Sequence, residues 1–367
     1  MPSPQPTLAN PPDFLELIPM RPDERIDADR VAAFLKDKLP VTGTPEIVQF
    51  EGGKANLTYL LRYRSAEGAT QEFVLRRPPL GPVAPSAHDM GREYRVLSVL
   101  YKAYPYAPRA YLYSEDASVI GAPFLVMERR RGIVIRQTMP ARFLGKPELM
   151  RRMSETIVDV LADLHAVDPK TVGLDTLGKP EGFMARQVKG WGGRWEAAKT
   201  DDVPVFYKAW DWLNANLPPA PRTSLVHNDF KLDNMMMDAE DPARCVAVFD
   251  WDMCTLGDPL ADLGTLLGYW TQAGDSPERA AFAVMPSALP GWYTRREVVL
   301  RYAERSGTDL SRIRFYEIFG MWKTAVVIQQ IYVRLHRGQT QDLRFKEYGA
   351  RANALAAAAW ELANRME

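Results

Sequence analysis

The feature that most constrains what this chain can fold into is a change of hydrophobic period near residue 148. Before it, short strand-like runs dominate: Glu46–Phe50 and Leu57–Tyr63 flank the Gly52-Gly53 turn, and Glu72–Arg76 follows Gly68. Asp89–Tyr101 interrupts them with helical spacing, through Tyr94, Leu97 and Leu100, and strands resume at Ala110–Tyr113 and Phe124–Glu128. After it, the spacing is helical. Leu149–His165 places Met150, Met153, Ile157, Val160, Leu161 and Leu164 on one stripe, and Val205–Leu217 stops at Pro218-Pro219. Asp258-Pro259 reads as a cap and first helical residue opening a helix to Trp270. Further helices are expected over Thr294–Ser306, Ser311–Gly338 and Gln341 to the end. With 367 residues, too many for one simple core, the expectation is an α+β chain of two lobes. The first is small and mixed, the second mainly helical.

Composition narrows the partners. Lys plus Arg and Asp plus Glu are 46 each, so no surplus charge points to nucleic acid or an acidic membrane surface. The apolar stretch around Ile318–Leu335 is broken by Lys323, Gln329, Gln330 and Arg334, which suits a buried helix and not a membrane span. Cys245 and Cys254 form no metal-ligand pattern and read as free thiols in a reducing compartment. No basic segment leads an apolar one at the Pro-rich N-terminus, so a cytoplasmic location is expected.

Chemistry concentrates between His227 and Asp250, in H-N-D-F-K-L-D-N, fifteen residues, then D. Phosphoryl transfer needs a carboxylate to receive the acceptor's hydroxyl proton, plus an amide oxygen and a second carboxylate for magnesium. Asp229, Asn234 and Asp250 supply these groups in that order, and Asn234 and Asp250 are the candidate metal ligands. Lys231 stands where it could neutralise charge on the migrating group, or it is an ordinary solvated lysine.

With V-A-V-F-D-W-D and G-D-P-L-A-D-L-G after it, and E-G-G-K-A-N-L-T-Y-L-L, F-V-L-R-R-P-P and H-D-M-G-R-E-Y-R-V-L before it, this motif resembles the aminoglycoside phosphotransferase and choline kinase-like superfamily. Within it, the chain is most similar to the branch related to the kinase-like domain fused to some acyl-CoA dehydrogenases. The Pro-rich stretch at the start of the chain (1–26) reads as an extended arm. The resemblance covers about residues 27–350 and implies a bilobal protein-kinase-like fold, with an antiparallel-sheet N-lobe (27–128) and a mainly helical C-lobe (129–367). It implies Gly52, Gly53 and Asn56 over the phosphates of ATP or GTP, and Arg76, or its neighbour Arg77, in place of the usual strand lysine. Glu93 becomes that residue's partner, and Met127, Glu128 and Arg129 the segment meeting the purine. Asp262 resembles the acid that anchors the catalytic loop, although helix-start electrostatics is an alternative reading. Asn228 replaces the usual glycine, a low-cost change if the position needs positive φ.

The function expected is magnesium-dependent transfer of a nucleotide γ-phosphate to a hydroxyl of a small molecule by a monomer or homodimer. Two alternatives stand beside it: a catalytically silent nucleotide-binding module, and a metal-dependent phosphohydrolase whose His/Asp cluster is missing from the sequence. Arg295, Arg296, Arg301, Arg305, Arg312, Arg314, Lys323 and Arg334 lie on the helices expected near the acceptor. They favour a neutral or anionic acceptor, such as a hydroxylated acyl compound, over an aminoglycoside. Trp251, Trp270, Trp292 and Trp322 read first as core and second as acceptor lining.

Overall fold

The computed structural model describes residues 17–51, 56–65, 68–81, 89–280, 283–340 and 345–365. The chain divides into two compact units. The first runs to Val134 and adds Met236–Pro242 and Val246–Met253; the second comprises Ile135–Met235, Ala243–Cys245 and everything from Cys254.

The first unit is built on a six-stranded antiparallel sheet. Its strands are β1 (Leu17–Ile18), β2 (Glu46–Phe50), β3 (Leu57–Arg64), β4 (Thr70–Arg77), β5 (Ala110–Ser114) and β6 (Phe124–Glu128), in the order β1-β2-β3-β4-β6-β5. Alternate residues Leu57, Tyr59, Leu61 and Tyr63 of β3 are buried with Phe73, Leu75 and Val126. Helices α1 (Ala28–Leu35) and α3 (Ala117–Ile120) cover them through Val31, Leu35, Val119 and Ile120. Asp27 caps α1 by accepting from the N–H groups of Asp29 (2.9 Å) and Arg30 (3.1 Å). In α2 (Met90–Leu100) the buried stripe is Glu93, Val96, Leu97 and Leu100, so a glutamate occupies a core-facing position. Tyr94, expected on that stripe, is only half-buried. At the end of the arm, Leu17 and Ile18 pair with Phe50 and Gln49 and form the sheet's edge strand. Residues 1–16 lie outside the described residues.

The second unit begins with α4 (Pro147–Ala166), α5 (Phe183–Ala198), α6 (Pro204–Ala215) and β7 (Ser224–Val226). The hairpin of β8 (Met235–Met237) and β9 (Cys245–Val248) follows, and its residues are shared between the units. Strand β10 (Thr255–Gly257) then pairs antiparallel with β7. Helices α7 (Leu260–Tyr269), α8 (Pro277–Ala280), α9 (Arg295–Ser306), α10 (Ile313–His336) and α11 (Tyr348–Asn364) complete it. Helix α5 has no clear sequence signal because Gly190, Gly192 and Gly193 depress helix propensity. Packing requires one of them: a Cβ on Gly192 would stand 2.0 Å from the Trp210 ring.

Every residue of α7 is buried. It meets α10 backbone to backbone, since a Cβ on Gly264 would lie 2.1 Å from the Tyr316 carbonyl and one on Gly320 2.0 Å from the Gly264 carbonyl. Trp322 stacks on Phe206 (4.9 Å), which stacks on Trp195 (3.9 Å). Trp270 and Trp322 are wholly buried, as is Trp251 in the first unit, and Trp292 nearly so. These tryptophans are core, and the acceptor-lining reading falls. Among the described residues no helix is long and apolar enough to cross a membrane.

Candidate active site

One group of candidate residues lies within the second unit, on the loop between β7 and β8. Asp262, in the first turn of α7, accepts from the N–H groups of His227 (2.6 Å) and Asn228 (2.7 Å). It is fully buried and also faces His165 Nε2 at 3.3 Å, while His165 Nδ1 meets the Tyr302 hydroxyl at 2.7 Å. Burial works against the Asp262 charge, but His165 and the loop N–H donors hold its carboxyl below the usual range. Burial pushes the His165 imidazole down. Asp262 therefore anchors the loop, and helix-start electrostatics does not describe it.

The anchored loop turns sharply at Asn228, whose φ is +67°. Asparagine tolerates that region better than other side chains, but a Cβ there is still costly. Asn228→Ala should lose about 1–2 kcal/mol of unfolding free energy and Asn228→Gly almost none. Urea denaturation of both variants checks this, and equal losses would mean that φ is not the reason.

Beyond the turn, three donors converge on the Asp229 carboxylate. The Tyr269 hydroxyl reaches Oδ1 (3.1 Å); Lys231 Nζ (2.5 Å) and Asn234 Nδ2 (3.1 Å) reach Oδ2. Asn234 Nδ2 also donates to the Asp229 carbonyl (2.9 Å), which leaves the amide oxygen as the end suited to a cation. Burial opposes the Lys231 charge, yet Asp229 and Tyr269 hold the ammonium well above the usual lysine range. It is an ion-paired member of the site and not a solvated lysine. Tyr269, absent from the sequence expectations, lies seven residues after Asp262 on the same face of α7.

A separate group lies within the first unit. Arg76 on β4 donates to Glu93 Oε1 (2.5 Å) and to Asp250 Oδ1, so one guanidinium bridges both acids. Arg77 donates instead to the Ile120 carbonyl (2.7 Å), which leaves Arg76 as the residue paired with Glu93. Burial would lower the Arg76 pKa, but Glu93 and Asp250 raise it on balance. Burial also pushes the Glu93 carboxyl up to about 7 against the pull of Arg76, because Asp250 and Asp252 add negative charge nearby. Asp250 itself has φ +67°, a strained conformation for a residue other than glycine.

Of the remaining expected site residues, Gly52 and Gly53 lie outside the described residues, and Asn56 is buried just before β3. Met127 and Glu128 end β6; the Glu128 N–H donates to the Arg109 carbonyl (2.8 Å), so a purine edge would need other main-chain groups. Arg129 stacks on Phe50, 5.0 Å from the ring centre. Among the described residues no three His, Cys, Asp or Glu side chains are grouped to hold a metal ion. Asn234 lies in the second unit and Asp250 in the first.

Three of the eight cations named on the later helices are paired with acids within the fold. Arg295 pairs with Asp275 (2.5 Å), Arg301 with Asp159 (2.7 Å) and Arg305 with Asp163 (2.8 Å), and Arg314 donates to the Leu362 carbonyl (2.8 Å). Lys323, buried on α10, donates to the Asn228 carbonyl.

Asp258, before α7, accepts from the Leu260 N–H (3.0 Å) and the Tyr316 hydroxyl (2.5 Å). Burial pushes its carboxyl up to about 6, above the ordinary 3.8. Its contribution is therefore complete below pH 3.8 and is lost as pH rises through about 6. Asp258→Asn should gain on the wild type between about pH 4 and 7, by up to roughly 3 kcal/mol. Urea denaturation at both pH values gives the difference, and a pH-independent gap would contradict it.

Comparisons with known proteins agree with this architecture. The profile of the phosphotransferase enzyme family matches residues 46–298. Acyl-CoA dehydrogenase family member 10 of Mus musculus is 32% identical over 352 residues, covering 95% of this chain and 32% of its own length. The chain thus spans about a third of that curated relative. A crystal structure of a presumed aminoglycoside phosphotransferase from Ralstonia eutropha is 28% identical, with TM-score 0.76 over 92% of this chain and 98% of that one. Choline kinase from Cryptosporidium parvum, 10% identical, has TM-score 0.61 over 92% of this chain and 95% of its own, a likeness of fold alone. The fold is kinase-like, with an antiparallel sheet in its N-terminal part and a helical C-terminal region.

Proposed function

We propose that this chain, which belongs to the phosphotransferase enzyme family, moves the γ-phosphoryl group of ATP or GTP to a hydroxyl of a small molecule. The observation that carries the reading is the Asp229 carboxylate, held by Tyr269, Lys231 and Asn234 on a loop anchored by Asp262. Three donors fix the direction of its oxygens without removing their capacity to accept a proton. The acceptor hydroxyl oxygen attacks the γ-phosphorus, the bond to the bridging oxygen of the nucleoside diphosphate breaks, and the hydroxyl proton passes to Asp229. Because the transition state is loose, orientation of the hydroxyl counts for more than basicity. Lys231 supplies positive charge beside the reacting groups. Asn234 and Asp250 would hold magnesium, which when bound neutralises phosphate charge. Gly52, Gly53, Asn56, Arg76 and the Met127–Arg129 segment belong to the nucleotide side of the reading.

For the acceptor we favour a neutral or anionic hydroxyl compound, with hydroxylated acyl compounds first. The likeness to acyl-CoA dehydrogenase family members supports that class. So does local charge: a polycationic aminoglycoside brought to Asp229 would meet the Lys231 ammonium already paired with that carboxylate. A cytoplasmic monomer or homodimer completes the reading, since two buried free thiols suit a reducing compartment.

The test is a nucleotide-turnover screen against hydroxyacyl-CoAs, hydroxy acids, amino alcohols, sugars and aminoglycosides. Asp250→Asn, which keeps a side chain tolerant of positive φ, should abolish the magnesium dependence of nucleotide binding in calorimetry. Unchanged magnesium dependence would remove Asp250 as a ligand. One observation favours a second reading, a silent nucleotide-binding module: Arg76 engages the Asp250 carboxylate expected to hold magnesium. Thermal stabilisation by Mg-ATP with no turnover across the whole screen would select it.

A further inference from the structure

We propose that Lys323 is a positioning residue for the transfer: its ammonium, presented by α10, clamps the peptide unit that aims Asp229. The activity side of this proposal rests on the reading of Asp229 given above. The clamp itself rests on geometry.

Lys323 is 3% exposed and sits in the apolar run Ile318–Val326, where a charge is costly unless something requires it. No carboxylate among the described residues forms an ion pair with it. Its hydrogen bond goes to the Asn228 carbonyl, and the Trp191 ring lies 5.3 Å away. That carbonyl and the Asp229 N–H belong to one peptide plane. The Asp229 N–H donates to His227 Nδ1 (3.3 Å), and the Asn228 N–H one bond earlier is fixed by Asp262. Asn228 is thus held at both its amide and its carbonyl while in the left-handed region. Release of the carbonyl would let the plane rotate, and the Asp229 side chain would swing with it.

The charges acting on the ammonium come from several directions. Asp229 on the loop and Asp262 on α7 draw its pKa up; Lys231 on the loop and Arg194 on α5 push it down. Burial outweighs them all and leaves it at about 8. The two acids are the loop's base and its anchor, so the ammonium couples to the parts it positions.

Two measurements test the clamp, and neither needs turnover. In NMR of lysine labelled at Cε, with Lys323→Met identifying the signal, Lys323 should titrate near pH 8. In Asp229→Asn the midpoint should fall by about half a unit or more, because an attractive charge is gone. In hydrogen exchange, Lys323→Met should expose the Asn228, Asp229 and Phe230 amides at least about tenfold faster, with the β3–β4 amides unchanged. Lys323→Arg should restore protection. Wild-type protection of the loop in Lys323→Met, or a midpoint unmoved in Asp229→Asn, would overturn the proposal. If the methionine variant fails to fold, a set of single-site arginine and glutamine variants assigns the signal, and the Asp229→Asn shift decides.

Discussion

Asp229→Asn should reduce phosphoryl transfer to an identified acceptor by about 10²–10⁴-fold, the range typical of losing a positioned proton acceptor. Binding of Mg-ATP should remain close to that of the wild type. The hydrogen-bond pattern explains why the loss falls on chemistry. Lys231 and Asn234 can only donate to Oδ2, so the new amide oxygen must take that place and the NH₂ must face Tyr269. A tyrosine hydroxyl can turn and accept, so the loop keeps its geometry while the carboxylate disappears. Steady-state kinetics with calorimetry of nucleotide binding separate the two effects. Turnover near the wild-type rate would remove Asp229 from its role.

The largest effect on stability is expected at Asp262. Asp262→Ala leaves two buried main-chain N–H groups, of His227 and Asn228, without their acceptor and strips His165 of its carboxylate. The loss should be about 3–5 kcal/mol, as for breaking a buried pair. Asp262→Asn, with one oxygen for two N–H groups, should fall between. The pH dependence follows from the same contacts. Asp262 is held below 3.8, so its contribution is present above that pH and is lost on acidification through its folded-state pKa. His165 is held below 6.5, so it too favours the folded state above that pH and loses the advantage as pH falls. Below about pH 3.8 the wild type should therefore lose the contribution of the Asp262 carboxylate, which Asp262→Ala already lacks, and denaturation at graded acidic pH checks it.

How much was legible in the sequence depended on how local each signal was. Strands β2, β3, β4 and β6 were legible to within two residues at either end, because alternation and Gly turns specify them locally. The positive φ of Asn228 was legible from its place in a glycine's position. The β7–β10 ribbon was not, since three-residue strands carry no period. Tyr269 could have been found by projecting α7 seven residues on from Asp262, although only the fold turns that face toward Asp229. The pairing of three of the arginines was hidden for a related reason. A charge count includes both members of a pair, and Asp159, Asp163 and Asp275 are distant in sequence from the arginines they neutralise. Nothing local announces that Asp250 is left-handed.

The contact of Gly264 with α10 has a practical meaning for anyone who wishes to retarget this protein. Two helices that touch through their main chains have no side chains between them to repack, so the pair behaves as a strut of fixed width. Tyr269, Asp262 and Lys323 are mounted on it. Combinatorial libraries should therefore spare 260–269 and 316–324, so that the mounting of these three side chains is undisturbed.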